Sequence, residues 1–429
     1  MKVERVATRV VKPWKEGCAS SIPNDIVALS SSDMVVPPVH VEVVYAFNAP
    51  APPVCVLEQG LAKAIRVYRE WAGRLGKDER GRPAIELNDE GVAFIEAQAD
   101  GSIQEMMPFH PVPRLRDLVP INQGVPELLL IQVTKFSCGG ITIGVARHHQ
   151  VADGTAASTF MNAWASIVKG LPLTIEPLHD RSALMGCDPP QPAYDHIEYE
   201  KPLPKPDSDS EASDYPLLAV KRFHFSVDML QKIKHKAAKE NGELYTTFES
   251  LASHLWRSIT EARGVSEDVQ TRVKVPINVR KRLDNFPDSY FGNVISHACA
   301  QTTAQELLEQ PLSFAAGLMH AAIKRVDRDY IRSALDFIEL QQQNNPVQIT
   351  KRNRTGSITP NVGVSTWVHL PLYQLDFGWG TPVFAGNAGL PYEGSIILIP
   401  SHTKDGSVNA TVGLFAPDMA KFEEIYNQL

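Results

Sequence analysis

A pair of histidines four residues before an Asp-Gly step is the part of this sequence best suited to chemistry. The stretch at 147–154 reads RHHQVADG. Imidazole is the side chain whose ordinary pKa lets it accept a proton near pH 7, so His149 is a candidate general base. A histidine at a strand end is more often a hydrogen-bonded structural residue, and the spacing alone leaves that alternative open.

The flanking sequence predicts rigid elements on both sides of the histidines. Residues 128–145 alternate in polarity, are rich in β-branched side chains and are interrupted by Cys138-Gly139-Gly140, a pattern that predicts a hairpin. Residues 156–168 carry bulky apolar side chains at helical spacing. His149 would therefore lie between a strand end and a helix start, where a catalytic side chain can be held rigidly.

A second motif, DFGWG, occurs at 376–380 near the C-terminus. Shorter stretches accompany it: LSSSD at 29–33, AGRL at 72–75, YFGN at 290–293 and STW at 365–367. Together these motifs resemble the plant BAHD family of acyl-CoA-dependent acyltransferases, which carry HxxxD in mid-chain and DFGWG near the C-terminus. The resemblance spans essentially all 429 residues.

The resemblance implies an α/β (α+β) fold similar to chloramphenicol acetyltransferase. Each half would pair a mixed sheet with helices, and the active-site channel would run between the halves. Length also favours two domains, because single cores stop growing at about 250–300 residues. We expect an N-terminal domain at 1–190 with HxxxD, a crossover loop at 191–216 and a C-terminal domain at 217–429 with DFGWG. Proline, Asp, Ser and Glu with little apolar periodicity mark the crossover.

The resemblance also assigns roles around the histidine. His149 would take the proton of an attacking amine or hydroxyl as the acyl group leaves its thioester. Asp153 would turn away from the site and pair with Arg280, while Gly154 would permit the tight turn that orients His149. A catalytic Asp153–His149 pair is the alternative. His148 is expected to be structural.

Two donors for the oxyanion are expected further along the chain. Trp367 has an indole N–H that can only donate, and Ser365 could supply a second donor. Core packing is the alternative for Trp367. The DFGWG residues Asp376, Gly378, Trp379 and Gly380 would stiffen a loop away from the chemistry.

Substrate contacts are expected at both ends of the acyl-CoA. Tyr45, with His40 on the same stretch, matches a position that contacts the phenolic end of the acyl group in the family. CoA phosphates bind well to cations and to helix N-termini. The candidate cations are Lys234 and Lys236, and the candidate helix start is at Thr246 and Thr247. A lysine-rich helix face is usually only solvated. Acyl-CoA is thus the expected co-substrate, with no permanently bound cofactor and no metal.

Family membership alone does not decide whether the acyl acceptor is an amine or a hydroxyl. Shikimate and quinate transferases usually show His-Thr-x-Ser-x-Tyr where this chain has His40, Val41, Val43 and Tyr45, so two hydroxyls are absent. The stretches VKP at 11–13, APAPP at 49–53 and YREWAGRL at 68–75 look like the grass agmatine coumaroyltransferases. Those amine enzymes tend to carry a Glu at the position of Gly363.

We therefore expect a hydroxycinnamoyl-CoA N-acyltransferase acting on tryptamine, tyramine, agmatine or putrescine. A shikimate or quinate O-acyltransferase is the alternative. A non-catalytic relative and a condensation domain are further alternatives, the latter sharing HHxxxDG but not DFGWG. The chain has no GxSxG elbow, which favours direct transfer over an acyl-enzyme route.

Composition excludes several classes of protein. The net charge of -7 disfavours general nucleic-acid binding. The 5 cysteines lack CxxC spacing, so neither a disulfide framework nor a zinc site is predicted. Without an apolar leader or a run of about 18 apolar residues, no membrane segment is predicted. We expect a cytoplasmic monomer.

Overall fold

The computed structural model describes residues 1–15, 25–110, 113–199, 217–344 and 359–428. Most of the predicted crossover, residues 200–216, lies outside these ranges. None of the helices in the described ranges is long and apolar enough to cross a lipid bilayer.

Strands supply most of the regular structure. In chain order they are β1 (Val3–Val11), β2 (Ile26–Ala28), β3 (His40–Phe47), β4 (Arg74–Lys77), β5 (Pro83–Glu86), β6 (Val92–Ala99), β7 (Leu129–Phe136), β8 (Ile141–His148), β9 (Leu218–Phe225), β10 (Gln270–Asn278), β11 (Ile295–Thr303), β12 (Val362–Thr366), β13 (Phe384–Asn387), β14 (Ser395–Pro400) and β15 (Val408–Phe415).

The α-helices are α1 (Ser31–Met34), α2 (Val54–Val67), α3 (Ile103–Met106), α4 (Pro113–Arg116), α5 (Gly154–Val168), α6 (Val227–Lys236), α7 (Thr247–Arg263), α8 (Ala304–Glu309), α9 (Leu312–Arg325), α10 (Arg328–Asn344) and α11 (Ala416–Ile425). Short 3-10 turns occur at Arg69–Ala72, Ser182–Leu184, Ile197–Tyr199, Arg280–Arg282 and Leu372–Gln374.

The chain forms two compact units, and each contains a mixed sheet with helices, as expected for this fold class. The first unit comprises Met1–Met185, Leu283–Val294 and Leu370–Gly389. The second comprises Gly186–Arg282, Ile295–His369 and Leu390–Leu429.

The units differ from the contiguous division predicted at 190 and 217. The DFGWG segment, which the sequence assigned to the C-terminal half, belongs to the first unit. The reason is strand pairing, since β13 runs antiparallel to β3 with Phe384 opposite Ala46 and Asn387 opposite Val43. The stretch YFGN at 290–293 joins the same unit.

The six-stranded sheet of the first unit has the order β1-β6-β7-β8-β3-β13. Its β7–β8 hairpin confirms the prediction for residues 128–145, and the turn has Gly139 in the left-handed region at φ 81°. Strands β6 and β7 are parallel, so the sheet is mixed. A three-stranded sheet, β2-β5-β4, belongs to the same unit.

The six-stranded sheet of the second unit has the order β11-β10-β12-β14-β15-β9. Strand β12 pairs in parallel with both β10 and β14. The core contains Trp256 of α7, whose Nε1 donates to Thr271 Oγ1 over 3.0 Å. Strands β14 and β15 are antiparallel, and the connection between them has Gly406 at φ 91°.

A buried polar cluster fastens the segment before residue 200 to α10. His196 Nδ1 lies 2.9 Å from Glu198 Oε1, and its Nε2 lies 2.9 Å from Ser333 Oγ. Ser333 Oγ also accepts from the backbone N–H groups of Ala193 and Tyr194. The geometry resembles a Ser-His-Glu triad, but all three side chains are buried and the hydroxyl is bound to backbone, so its role is structural.

The fold predicts a cost for any side chain at Gly144 of β8. A Cβ atom there would lie 2.0 Å from the carbonyl oxygen of Leu118. Gly144→Ala should therefore lower the free energy of unfolding by about 1–3 kcal/mol through overpacking. Gly317→Ala on α9 serves as the control, because the nearest atom to its new Cβ would be the side-chain Oη of Tyr245 at 3.2 Å rather than a backbone atom. Denaturant unfolding checks both, and equal stability of the Gly144 variant would contradict the close approach.

Candidate active site

His149 is held one residue beyond the end of β8. Its backbone N–H donates to Val39 O over 2.9 Å, which continues the β3–β8 pairing that sets Val41 opposite Arg147. His149 therefore shares a sheet face with Arg147, because alternate residues of a strand point the same way. His149 is partly buried, with its Nδ1 in the interior.

The loop between β8 and α5 has its carbonyl groups bound by side chains. Asn293 Nδ2 donates to His149 O over 2.9 Å. Arg181 donates through Nη1 to Gln150 O over 3.4 Å and through Nη2 to Val151 O over 2.9 Å. Arg147 Nη1 donates to Ala152 O over 3.0 Å. Four consecutive carbonyl groups thus have side-chain donors.

Arg181 and Asn293 are themselves fixed by the buried carboxylate of Asp33. Arg181 Nη1 donates to Asp33 Oδ2 over 2.8 Å. Asn293 donates to Asp33 Oδ1 from its backbone N–H over 3.0 Å and from Nδ2 over 2.8 Å. The LSSSD and YFGN stretches therefore meet beside the histidine loop.

Asp153 begins α5 as its N-cap. One carboxylate oxygen accepts from Ala156 N over 2.9 Å, and the other accepts from Val294 N over 2.9 Å. Both interactions hold the helix start and the 290–294 segment together. The expected Asp153–Arg280 ion pair would join residues of different units and stays a prediction; Arg280 Nη1 lies 3.3 Å from Asn278 Oδ1.

Gly154 serves a purpose other than the expected tight turn. It is the first residue of α5 and is not among the glycines with positive φ in the described chain. A Cβ there would lie 2.8 Å from Leu370 Cδ1. Leu370 packs against the helix start, so a side chain at this position would have to displace the end of the leucine side chain.

Burial keeps both histidines neutral at physiological pH. Loss of hydration and the nearby Arg147 guanidinium lower the pKa of His149 to about 4. Burial, with the neighbouring His40 and His149, lowers the pKa of His148 to about 3. His149 is thus in its proton-accepting form without activation by a carboxylate.

The two positions expected to bind substrate, with Tyr45 at the acyl group, lie on β3. Tyr45 is buried, and loss of hydration raises the pKa of its hydroxyl to about 12. His40 Nε2 lies 2.7 Å from Glu127 O, and its ring meets His148 edge-on at 5.3 Å. Burial lowers the pKa of His40. Tyr45 and His40 point to opposite faces of the strand, since five positions separate them.

The DFGWG segment is a self-capped turn packed on the first sheet. Asp376 Oδ1 accepts from the backbone N–H groups of Gly378 at 2.8 Å and Gly380 at 3.1 Å, and both glycines have positive φ. Phe377 meets the ring of Trp164 at 5.0 Å and stacks on Trp379 at 5.3 Å. These contacts are those of a structural motif.

The expected oxyanion donors lie at the end of β12 in the second unit. Ser365 and Trp367 are partly exposed and, two positions apart, share a strand face with Gly363. Trp367 N donates to Leu398 O over 2.7 Å, which anchors its backbone. Neither side chain makes a hydrogen bond within the described ranges.

The residues expected to hold CoA lie on α6 and α7. Lys236 is exposed and Lys234 is partly buried. Thr246 caps α7, donating to Glu249 Oε2 over 2.7 Å while its Oγ1 accepts from Glu249 N. Thr247 is the first residue of the helix. The carboxylate of Glu249 already occupies this helix start, so an incoming phosphate would have to compete with it.

Comparison with known proteins identifies the family. The profile described as Transferase family matches residues 1–429. The chain belongs to that family, the BAHD acyltransferases.

Its relatives cover it nearly end to end. Shikimate O-hydroxycinnamoyltransferase of Nicotiana tabacum is 37% identical, with 99% of each chain covered. Agmatine hydroxycinnamoyltransferase 1 of Oryza sativa subsp. japonica is also 37% identical, covering 99% of this chain and 98% of the relative. The crystal structure of F. graminearum TRI101 with Coenzyme A and deoxynivalenol matches with a TM-score of 0.77 at 17% identity, over 93% of this chain and 97% of that one.

Sequence reasoning missed part of this BAHD site. Arg181 and Arg147 were not predicted, and Asp33 and Asn293 were recognised only as parts of shared stretches. The Ser30-to-Asp33 spacing was a capping-box signal, and the structure has that capping box. Nothing local marks Arg181. Within the described ranges no group of three or more His, Cys, Asp or Glu side chains could hold a metal ion.

The buried histidines predict acid sensitivity of folding. Because the pKa of His148 is about 3 when folded and about 6.5 when unfolded, the unfolded chain binds more protons between these values. Stability should therefore fall as pH drops below 6.5, by about 2 kcal/mol at pH 5 from this residue.

Thermal melts of the wild type and His148→Gln at pH 7.5 and pH 5 check this. The variant should lose less Tm on acidification than the wild type. His110→Gln is the control, because that histidine is exposed. An equal loss in the wild type and the His148 variant would show that His148 is not the acid-sensitive group.

Proposed function

We propose that this chain transfers a hydroxycinnamoyl group from its CoA thioester to an amine, producing a phenolamide. The observation that carries the proposal is His149: a neutral imidazole, fixed between β8 and α5, in a chain of the BAHD family. The names of the tobacco and rice relatives support the hydroxycinnamoyl donor.

The chemistry follows from a neutral base and a neutral amine. The amine nitrogen attacks the thioester carbon, and His149 takes the proton that the nitrogen loses. Because Nδ1 is buried, the accepting atom is Nε2, with the ring proton on Nδ1. The tetrahedral intermediate collapses to the amide, and the CoA thiolate leaves and takes up the proton. Trp367 and Ser365 are the proposed donors to the oxyanion.

Strand β3 supports an amine over a polyhydroxy acid. Val41 lies opposite Arg147 and Val43 opposite Val145, so both valines share the sheet face of His149. Their side chains offer no hydrogen bond to shikimate or quinate hydroxyls. The rice agmatine relative supports the amine class. Since Gly363 supplies no carboxylate, an aromatic monoamine such as tryptamine or tyramine is preferred over agmatine or putrescine.

The alternative is O-acylation of shikimate or quinate. The name of the tobacco relative, at the same identity as the rice enzyme, favours it. The two alternatives predict different pH dependences, since between pH 6 and 8.5 the neutral fraction of an amine acceptor rises while a hydroxyl acceptor keeps its protonation state.

Removal of the base should abolish most turnover. We expect His149→Ala to lower kcat by a factor of ~10²–10⁴, the usual contribution of a positioned general base. CoA affinity should change little. Steady-state thiol release from coumaroyl-CoA gives kcat, and calorimetric titration with CoA gives the affinity. Unchanged turnover would remove His149 from the mechanism.

The pH profile should identify the acceptor class. With the pKa of His149 at about 4, its base form is complete above pH 6. The neutral fraction of an amine with a pKa of ~10 rises about tenfold per pH unit. At subsaturating tryptamine or tyramine, kcat/KM should rise about tenfold with each pH unit between pH 6 and 8.5.

Shikimate and quinate provide the comparison, because a hydroxyl acceptor gives a nearly flat profile over that range. Initial rates with coumaroyl-CoA and six acceptors (tryptamine, tyramine, agmatine, putrescine, shikimate and quinate) complete the test. Faster turnover of either acid than of every amine would reject the amine proposal in favour of the alternative.

A further inference from the structure

We propose that Asp33, Arg181 and Asn293 form a clamp that positions the base, and that the clamp sets kcat through His149. This inference rests on the proposed role of His149. All three side chains are buried. The proposed reaction assigns no substrate contact to any of them.

The hydrogen bonds of the clamp to the histidine loop are to backbone carbonyls, and the Asn293 side chain also interacts with the His149 imidazole, which partly offsets the lowering of the His149 pKa by burial. Asn293 binds the carbonyl of His149, and Arg181 binds those of Gln150 and Val151. A carbonyl that is held fixes its peptide plane, and two adjacent planes fix the φ and ψ angles between them. Because the N–H of His149 is also bound to Val39 O, both peptide planes that flank His149 are held, and the direction of its side chain is tied to groups distant in sequence.

Asp33 holds both donors of the clamp. Its two carboxylate oxygens accept from Ser30 N and Oγ, from Asn293 N and Nδ2, and from Arg181 Nη1, at 2.7 to 3.0 Å. A fully bonded, desolvated carboxylate has one preferred arrangement of partners. Arg181 and Asn293 therefore have little freedom to follow a loop that shifts.

A second ion pair in the same unit provides a matched control. Arg69 binds Asp89 through Nε at 2.7 Å and Nη2 at 3.0 Å. Arg69 opens the 3-10 turn Arg69–Ala72 and Asp89 precedes β6, so both lie far in sequence from the histidine loop. Lysine at either arginine keeps the charge and loses one of the two donor nitrogens, which at Arg69 both bind Asp89 and at Arg181 bind Asp33 and Val151 O.

The primary variant is Asn293→Ala, which deletes both Nδ2 bonds and keeps the backbone bond to Asp33. We expect kcat to fall ~10–100-fold, the effect of displacing a catalytic group by about 1 Å. KM for coumaroyl-CoA should stay within about twofold, since a positioning defect acts on the chemical step. Arg181→Lys should lower kcat in the same direction and serves if the alanine variant fails to fold. Arg69→Lys should leave kcat unchanged.

A double-mutant cycle separates positioning from general weakening of the fold. In the His149→Ala background, Asn293→Ala or Arg181→Lys should produce no further fall in the residual rate, because there is no base left to position. The cycle is measured with soluble, folded protein whose CoA affinity matches that of the wild type.

The outcomes are distinct. Wild-type kcat in Asn293→Ala and in Arg181→Lys, with His149→Ala inactive, overturns the clamp and keeps the proposed function. An equal fall in kcat with and without His149 also overturns the clamp, because the effect would not pass through the base. A fully active His149→Ala overturns the proposed function itself.

Discussion

The arrangement around the histidine loop depends on one requirement: the buried backbone carbonyl groups of residues 149–152 need hydrogen-bond donors. Between β8 and α5 the chain leaves the sheet before the helix begins, so residues 149–152 have no regular partners for their carbonyls. An unpaired buried carbonyl costs about as much as a lost hydrogen bond. Arg147, Arg181 and Asn293 provide the missing donors, which explains why polar residues are buried beside an otherwise apolar sheet face.

The same requirement explains why distant segments converge on this loop. Arg181 lies 148 residues from Asp33, and Asn293 lies 260 residues from it. A buried carboxylate is tolerated only when its oxygens accept hydrogen bonds, and Asp33 accepts them from Arg181 and from Asn293. Asp153 adds another link, because it caps α5 and also binds the backbone of Val294. The proposed base thus sits where four separate parts of the chain meet.

Aromatic packing brings the C-terminal motif back to the N-terminal sheet. Phe377 and Trp379 lie against Phe47 of β3 at 6.2 and 6.1 Å, and Phe377 also meets Trp164 of α5. The turn that presents these rings needs Gly378 and Gly380, since both adopt positive φ. The motif therefore supports β3 and α5, the elements on either side of the histidine loop.

The sequence by itself determined the local features. Alternation and a Gly-rich turn predicted the β7–β8 hairpin, and helical spacing predicted α5. The position of His149 between β8 and α5 followed from these two predictions. Such local features can be predicted because turns and periodicity depend on residues a few positions apart. The BAHD motifs predicted the fold class, whereas periodicity predicted only individual strands and helices.

Only the tertiary structure decided which distant groups meet. Helix α2 ends at Val67, because Tyr68 leaves the helical region to pack on Phe160 and Phe291. Residues 74–77 then pair with β5. The return of DFGWG to the first unit and the Asp33–Arg181 pair had no local signal either. Their energy comes from burial and from hydrogen bonds across more than a hundred residues, and such pairings leave no period in the sequence.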